Sequence, residues 1–201
     1  MARHASYDRE DVLAKAQALF WRKGYHGTSL KDLEAALDMR PGSIYAAFGS
    51  KEALFGEALK DYGRQAMAQF QKAQQTAASP LAGLANHVRA FACIDPDTAP
   101  SRACMLVKTL LEMPDDDPVL RLQTEEMMQK MEAEFAGAFR AAQLNGELPA
   151  SANPERLASR LQAAIFGLRA YAQRSDAQSR IIQMTEDIAL DIEALSQREF
   201  A

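Results

Sequence analysis

Apolar residues recur at three- and four-residue steps through most of the chain, and the breaks between runs carry proline, glycine or clustered aspartate. Asp8 caps a first stripe of Val12, Leu13, Ala16, Leu19 and Phe20, which Gly24 closes. Leu30, Leu33, Ala36 and Leu37 make a second stripe of about two turns. Asp38-Met39-Arg40 interrupts it, and Pro41, which suits only the first turn of a helix, opens a third segment running to about Phe48. There Ile44 and Phe48 turn towards Leu33 and Leu37. From Lys51 to about Thr76 one long stripe carries Leu54, Phe55, Ala58, Leu59, Tyr62, Ala66, Met67 and Phe70.

The same period continues beyond. Ser79-Pro80 restarts a helix with Leu81, Leu84, Val88 and Phe91, ending near Asp95-Pro96-Asp97. A short apolar helix is predicted over Arg102–Met113. Pro114-Asp115-Asp116-Asp117-Pro118 breaks it, with Asp117 as the next cap; the aspartates read as a solvated turn favourable to a helix start, not a metal site. Pro118 to about Leu144 follows, with Leu122, Met127, Met131, Phe135, Ala138 and Phe139 inward and Asn145-Gly146 as its stop. The last two helices begin at Asn153-Pro154 and near Ser175. The expectation is an all-α protein of about nine helices.

Composition agrees. The 201 residues are 48% hydrophobic and 7% aromatic, with Ala, Leu and Met outweighing the β-branched types, which favours helix. No apolar run approaches the roughly eighteen residues of a membrane span, and the N-terminus is too polar for a secretory signal, so a cytoplasmic protein without a membrane partner is expected. Cys93 and Cys104 are too few for a disulfide framework or a four-ligand zinc site. Neither a metal nor a cofactor is implied. The net charge of −4 counts against a polyanionic partner, but Met1–Lys51 holds eight Lys/Arg against six Asp/Glu, which leaves −6 on the remainder. The basic excess lies at one end, beside a polar arm with Arg3 and His4.

Two short helices joined by a tight turn, the second rich in small and polar groups, is the layout of a helix-turn-helix. The run Gly24-Tyr25-His26-Gly27-Thr28-Ser29-Leu30-Lys31-Asp32-Leu33, followed by Gly42-Ser43-Ile44-Tyr45-Ala46-Ala47-Phe48-Gly49-Ser50-Lys51-Glu52-Ala53-Leu54, resembles the DNA-binding domain of the TetR/AcrR family of bacterial repressors. The resemblance covers the first quarter of the chain. One departure is that Arg40-Pro41 stands where many members carry Ser or Thr, which weakens the cap and adds a cation on the DNA side. The resemblance implies residues 1–51 as a three-helix DNA-binding domain and 52–201 as an effector-binding and dimerisation domain.

The expected DNA-binding residues are Thr28, Ser29, Arg40, Gly42, Ser43, Tyr45 and Lys51. Gly42, with Ala46 and Ala47, lets the backbone approach a groove wall, and Ser43 offers a short hydroxyl. Thr28 and Ser29 stand at a helix start suited to phosphate. The resemblance assigns phosphate contacts to Tyr45 and Lys51. Trp21 and Tyr25 read as packing residues. It also implies a homodimer joined through the last two helices, with Leu161, Ile165, Leu168, Ile181, Ile188 and Ile192 as interface, matching a palindromic duplex operator.

The function implied is a transcriptional repressor released from DNA by a small-molecule effector. Phe70, His87, Phe91, Cys104, Lys108, Met127, Met131 and Phe166 are the pocket candidates, chosen as inward residues of the middle helices. Cys104 behind Arg102 raises a redox-sensing alternative. An enzyme is not expected, because no nucleophile elbow, glycine-rich phosphate loop or HExxH is present and the three histidines stand far apart, at positions 4, 26 and 87. The other alternative is a helical adaptor without DNA binding.

Overall fold

The computed structural model describes residues 7–94, 99–113 and 118–197. The arm with Arg3 and His4, the Asp95-Pro96-Asp97 break and the aspartate run with the Asp117 cap lie outside them. Among the described residues the secondary structure is helical throughout, with no strand: α1 Arg9–Lys23, α2 Leu30–Leu37, α3 Pro41–Phe48, α4 Lys51–Thr76, α5 Pro80–Arg89, α6 Met105–Glu112, α7 Pro118–Leu144, α8 Pro154–Tyr171 and α9 Gln178–Glu193. Short 3-10 turns follow α5 and α9. No helix among them is long and apolar enough to cross a membrane. The chain forms two compact units, Met1–Arg64 with Met105–Glu125, and Gln65–Cys104 with Glu126–Ala201.

In the first unit, Asp8 accepts from the Glu10 N–H at 2.9 Å and opens α1; Glu10 and Asp11 begin the helix and Arg22 and Lys23 end it, complementing its dipole. Gly24 closes α1 at φ 76, a left-handed conformation that glycine adopts without steric cost. Ser29 and Asp32 form a reciprocal capping box at the start of α2. Asp38, at φ 50, turns the chain out of α2, and Pro41 starts α3 without a side-chain cap. Phe20, Leu33, Leu37, Ile44, Phe48, Leu54, Phe55 and Leu59 are buried, and the Phe20 and Phe55 rings meet edge to face at 5.0 Å. Each fully buried side chain of this size contributes about 1.5–3 kcal/mol. Trp21 packs against Tyr62 and Tyr25 against Phe55, consistent with packing roles.

The second unit is organised around Phe70, Leu84, Val88, Phe135, Phe139, Leu157, Leu161, Ile165 and Ile192. Glu147 accepts from Ser79 Oγ at 2.7 Å and from the Leu81 N–H at 3.2 Å, seating the start of α5. Arg89 of α5 bridges to Glu186 and Glu193 of α9 at 2.8 and 2.6 Å, and these carboxylates hold its guanidinium firmly protonated.

Two helices start later than the periodicity predicts. α6 begins at Met105 because the carbonyls of Arg102 and Ala103 are taken by the Arg169 guanidinium at 3.0 and 3.1 Å, while Arg102 itself donates to Ala172 O. α9 begins at Gln178, since turn bonds such as Ala177 N–H to Arg174 O occupy the preceding backbone. Leu122, expected inward, is exposed, and Thr124 and Leu120 fill the buried side of that turn.

Candidate nucleic-acid interface

α3 is short, so its orientation depends on its neighbours. Ser43 and Ile44 donate their N–H groups to Arg40 O, and Ile44 and Phe48 drive one side of the helix into the core. That leaves Gly42, Ser43, Tyr45 and Ala46 exposed on the other side, with Arg40 exposed just before them. Tyr45, at 43% exposure, is a large aromatic left in water on a helix whose other large apolar groups are buried. Among the described residues the Ser43 and Tyr45 hydroxyls make no hydrogen bond with the protein. A Cβ added at Gly42 would meet nothing within 4 Å, so the glycine keeps open the space in front of the helix start.

A support absent from the sequence reading is Arg9. Its guanidinium donates to Ala47 O at 3.2 Å, pairs with Glu57 at 2.7 Å and lies 4.6 Å above the Phe48 ring. It thereby holds the C-terminal turn of α3 from outside, where a cation meets free carbonyls favourably. Its partners are 38 and more residues away in sequence, so local spacing carries no sign of it.

Lys51 opens α4, next to Ser50, whose hydroxyl accepts from the Ala53 N–H at 3.0 Å. The Lys51 ammonium stands 4.4 Å from the Tyr25 ring centroid. Partial burial lowers its pKa from the ordinary value, and the charge of Asp32 opposes that shift.

Thr28 and Ser29 take other roles than the expected phosphate clamp. Thr28 is fully buried and its hydroxyl donates to Gly24 O at 2.6 Å, so it ties the turn between α1 and α2. Ser29 is exposed, but its hydroxyl donates to Asp32 Oδ2 at 2.7 Å and accepts from the Asp32 N–H. The start of α2 therefore already holds an anion, the Asp32 carboxylate, which Lys23 and Ser29 keep far below its ordinary pKa. Arg40, Gly42, Ser43 and Tyr45 remain together on α3.

The effector candidates divide. Phe70, His87 and Phe91 form one cluster with Phe135, which sequence reasoning placed only in the core: His87 is 5.2 Å from Phe70, 5.1 Å from Phe91 and 5.8 Å from Phe135 between ring centroids. Burial, then the nearby charge of Arg169, lowers the His87 pKa to about 4, so the imidazole is neutral at physiological pH. Phe70 and Phe135 are closely packed core, and Met131 is half-buried against it. Met127 and Phe166 are half-buried and Cys104 is buried, while Cys93 is exposed. Lys108 is not a pocket residue. Its ammonium donates to Trp21 O at 2.8 Å and Arg22 O at 3.3 Å, the free carbonyls ending α1. A small recess beside the cluster is lined by Phe91, Ile94, Arg102, Leu168, Arg169 and Ala172, among others.

The expected interface residues pack within the protomer. Leu161, Ile165, Leu168, Ile181 and Ile192 are buried, and Ile188 is half-buried, inside the second unit of a single protomer. They pack on the inner face of α8 and α9, and Leu161, Ile188 and Ile192 also border a cleft. The cleft, of about 140 Å³, lies along the two helices, lined by Leu157, Leu161, Ala164, Ile188, Ile192 and Leu195 together with Arg160 and Asp191. No group of three or more His, Cys, Asp or Glu suited to a metal occurs among the described residues.

Residues 12–58 match the model of bacterial regulatory proteins of the tetR family, and residues 80–185 match the tetracyclin repressor-like C-terminal domain. The chain is 31% identical to the HTH-type transcriptional regulator YezE of Bacillus subtilis (strain 168), over 73% of this chain and 78% of that protein. It is 27% identical to the HTH-type transcriptional repressor ComR of Escherichia coli (strain K12), over 89% of this chain and 85% of ComR. Among solved structures it resembles a cysteine mutant of the TetR family transcriptional regulator CifR complexed with a 26-base-pair double-strand operator DNA. The TM-score is 0.86 at 30% identity, covering 94% of this chain and 98% of that one.

Proposed function

The chain belongs to the tetR family of bacterial regulatory proteins, and from that premise we propose a transcriptional repressor that grips a palindromic duplex operator as a homodimer and releases it when a small-molecule effector binds. DNA binding is the family's activity, and the observation that carries it to these residues is the solvent-facing side of α3. Arg40 and Tyr45 supply phosphate or base-edge contacts, Ser43 a short hydroxyl, and Gly42 the clearance for close approach. Lys51 adds a phosphate contact from the start of α4, where free N–H groups favour an anion. Each contact contributes about 1–2 kcal/mol, so one head binds weakly and two are needed.

Residues 1–51 form the DNA-binding part in this reading, and 52–201 the effector and dimerisation part. The homodimer uses α8 and α9 around the cleft. Arg160 and Asp191 both line the cleft of one protomer, and we infer that two-fold pairing across it sets Arg160 of one protomer against Asp191 of its partner, and the reverse, so one ion pair occurs twice. The effector reaches the Phe70, His87 and Phe91 cluster through the recess beside it. It weakens DNA binding only as far as it prefers the conformation in which the two heads no longer fit successive grooves. We read the chain as a regulator without turnover of its own, working in the cytoplasm where its operator lies.

The test is a gel shift with the duplex flanking its own gene. A retarded band that a scrambled duplex of equal length does not compete away, and that weakens steeply as salt rises, supports the reading; equal binding to both duplexes overturns it.

A further inference from the structure

Lys51 does not extend freely into solvent. Its ammonium rests on the Tyr25 ring, and that ring is fixed from three sides: edge to face against Phe55 at 5.0 Å, against His26 at 5.1 Å, and through its own backbone N–H, which donates to Glu112 Oε2 at 3.2 Å. Glu112 belongs to α6, 87 residues further along the chain. One turn earlier on α6, Lys108 holds the last carbonyls of α1. The two side chains are four residues apart and so share a face of α6, which grips the α1–α2 turn at two points of opposite charge.

Gly24 supports this independently. A Cβ there would collide with the Glu112 carboxyl group, so the bare backbone is what admits the carboxylate to the Tyr25 N–H. The left-handed φ of Gly24 serves the same turn.

We propose that Glu112 and Lys108 are positioning residues for DNA binding, which hold the Tyr25 ring as a perch that presents the Lys51 ammonium to the operator phosphate. The inference rests on the reading of Lys51 as a phosphate contact. A lysine free in water loses rotamer freedom when it binds a phosphate, and one already held over a ring loses less. Perturbing α6 therefore acts on one DNA contact through two intermediates, the Tyr25 backbone and the Tyr25 ring.

The experiment is a double-mutant cycle on the full-length protein, read by fluorescence anisotropy with the duplex flanking its own gene across a salt series. Lys51→Ala is expected to weaken binding about tenfold and to reduce the salt slope by about 0.9 per protomer. Glu112→Ala is expected to weaken binding about threefold to fivefold with Lys51 present, and to have no further effect in the Lys51→Ala background. Glu112→Gln, which keeps an acceptor for the Tyr25 N–H, restores binding.

Should Glu112→Ala fail to fold, Tyr25 carries the same test: Tyr25→Phe keeps the ring and binds as wild type, whereas Tyr25→Leu loses affinity only while Lys51 is present. Equal losses from Glu112→Ala or Tyr25→Leu in both Lys51 backgrounds, or no loss in either, overturn the positioning role and leave the phosphate reading intact. An unchanged affinity and salt slope in Lys51→Ala overturn that reading of Lys51 and the inference together.

Discussion

Arg9, the first residue of α1, donates to the carbonyl of Ala47 in the last turn of α3 at 3.2 Å, and so joins the start of α1 to the end of the helix proposed to face DNA. The Glu57 pair beside it is partly exposed and adds little in water. Packing over Phe48 and the free carbonyl carry the effect. Arg9→Ala should therefore lower stability by only about 1 kcal/mol, read as a shift in the urea midpoint at unchanged slope. Operator affinity should fall further than that loss accounts for in a still-folded protein, because α3 loses an outer support.

Gly24 and Gly42 should respond oppositely to alanine. Gly24→Ala meets both a left-handed φ and the Glu112 carboxyl, so it should cost about 2 kcal/mol or more of unfolding free energy. Gly42→Ala adds a methyl group to open space on a helix and should stabilise the fold by up to about 1 kcal/mol. In the proposed reading the same methyl group stands where α3 approaches the groove, so operator binding should weaken. Thermal melts and anisotropy on the two variants separate these effects.

His87 gives the fold a pH dependence of known sign. Burial, and then the charge of Arg169, lowers its pKa to about 4 in the folded chain, against an ordinary 6.5. Between those values the unfolded chain binds a proton that the folded chain refuses, so stability falls as pH drops from 6.5 towards 4 and levels off below. The loss between about pH 7.5 and about pH 5 amounts to about 2 kcal/mol. In denaturant titrations the stability of wild type relative to His87→Gln should fall by about 2 kcal/mol over this range, because the variant lacks this slope whatever its absolute stability.

Charge exchange tests the pairing of protomers. Arg160→Glu sets like charges against each other twice in a two-fold pair and should weaken dimerisation by about tenfold or more. Arg160→Glu combined with Asp191→Arg restores opposite signs and should restore the dimer in sedimentation equilibrium. Failure of the double variant to recover would place the interface elsewhere.

The helices of the first unit were legible because their signals are local. Asp8, Gly24 and Pro41 each act within one turn, and the structure uses each at its expected place. What failed depended on distance. Nothing near Lys108 reveals that its ammonium ends on Trp21 and Arg22, and nothing near Thr28 reveals that its hydroxyl is consumed by Gly24 O within a buried turn. The stripes of α8 and α9 announced burial but could not name what covers it: Leu161, Ile165 and Ile192 pack inside one protomer, and periodicity is the same whether a helix buries its face against its own chain or a second copy.

The central claim, that the outer side of α3 and the start of α4 read duplex DNA, is tested most directly by the double variant Tyr45→Ala with Lys51→Ala. Neither side chain is part of the buried core of the first unit, so circular dichroism and melting temperature should stay near wild type. Anisotropy with the duplex flanking the protein's own gene should then show affinity reduced by about a hundredfold and a shallower salt dependence. Unchanged affinity and salt slope in a folded double variant would contradict the account and favour a helical adaptor that does not use this face.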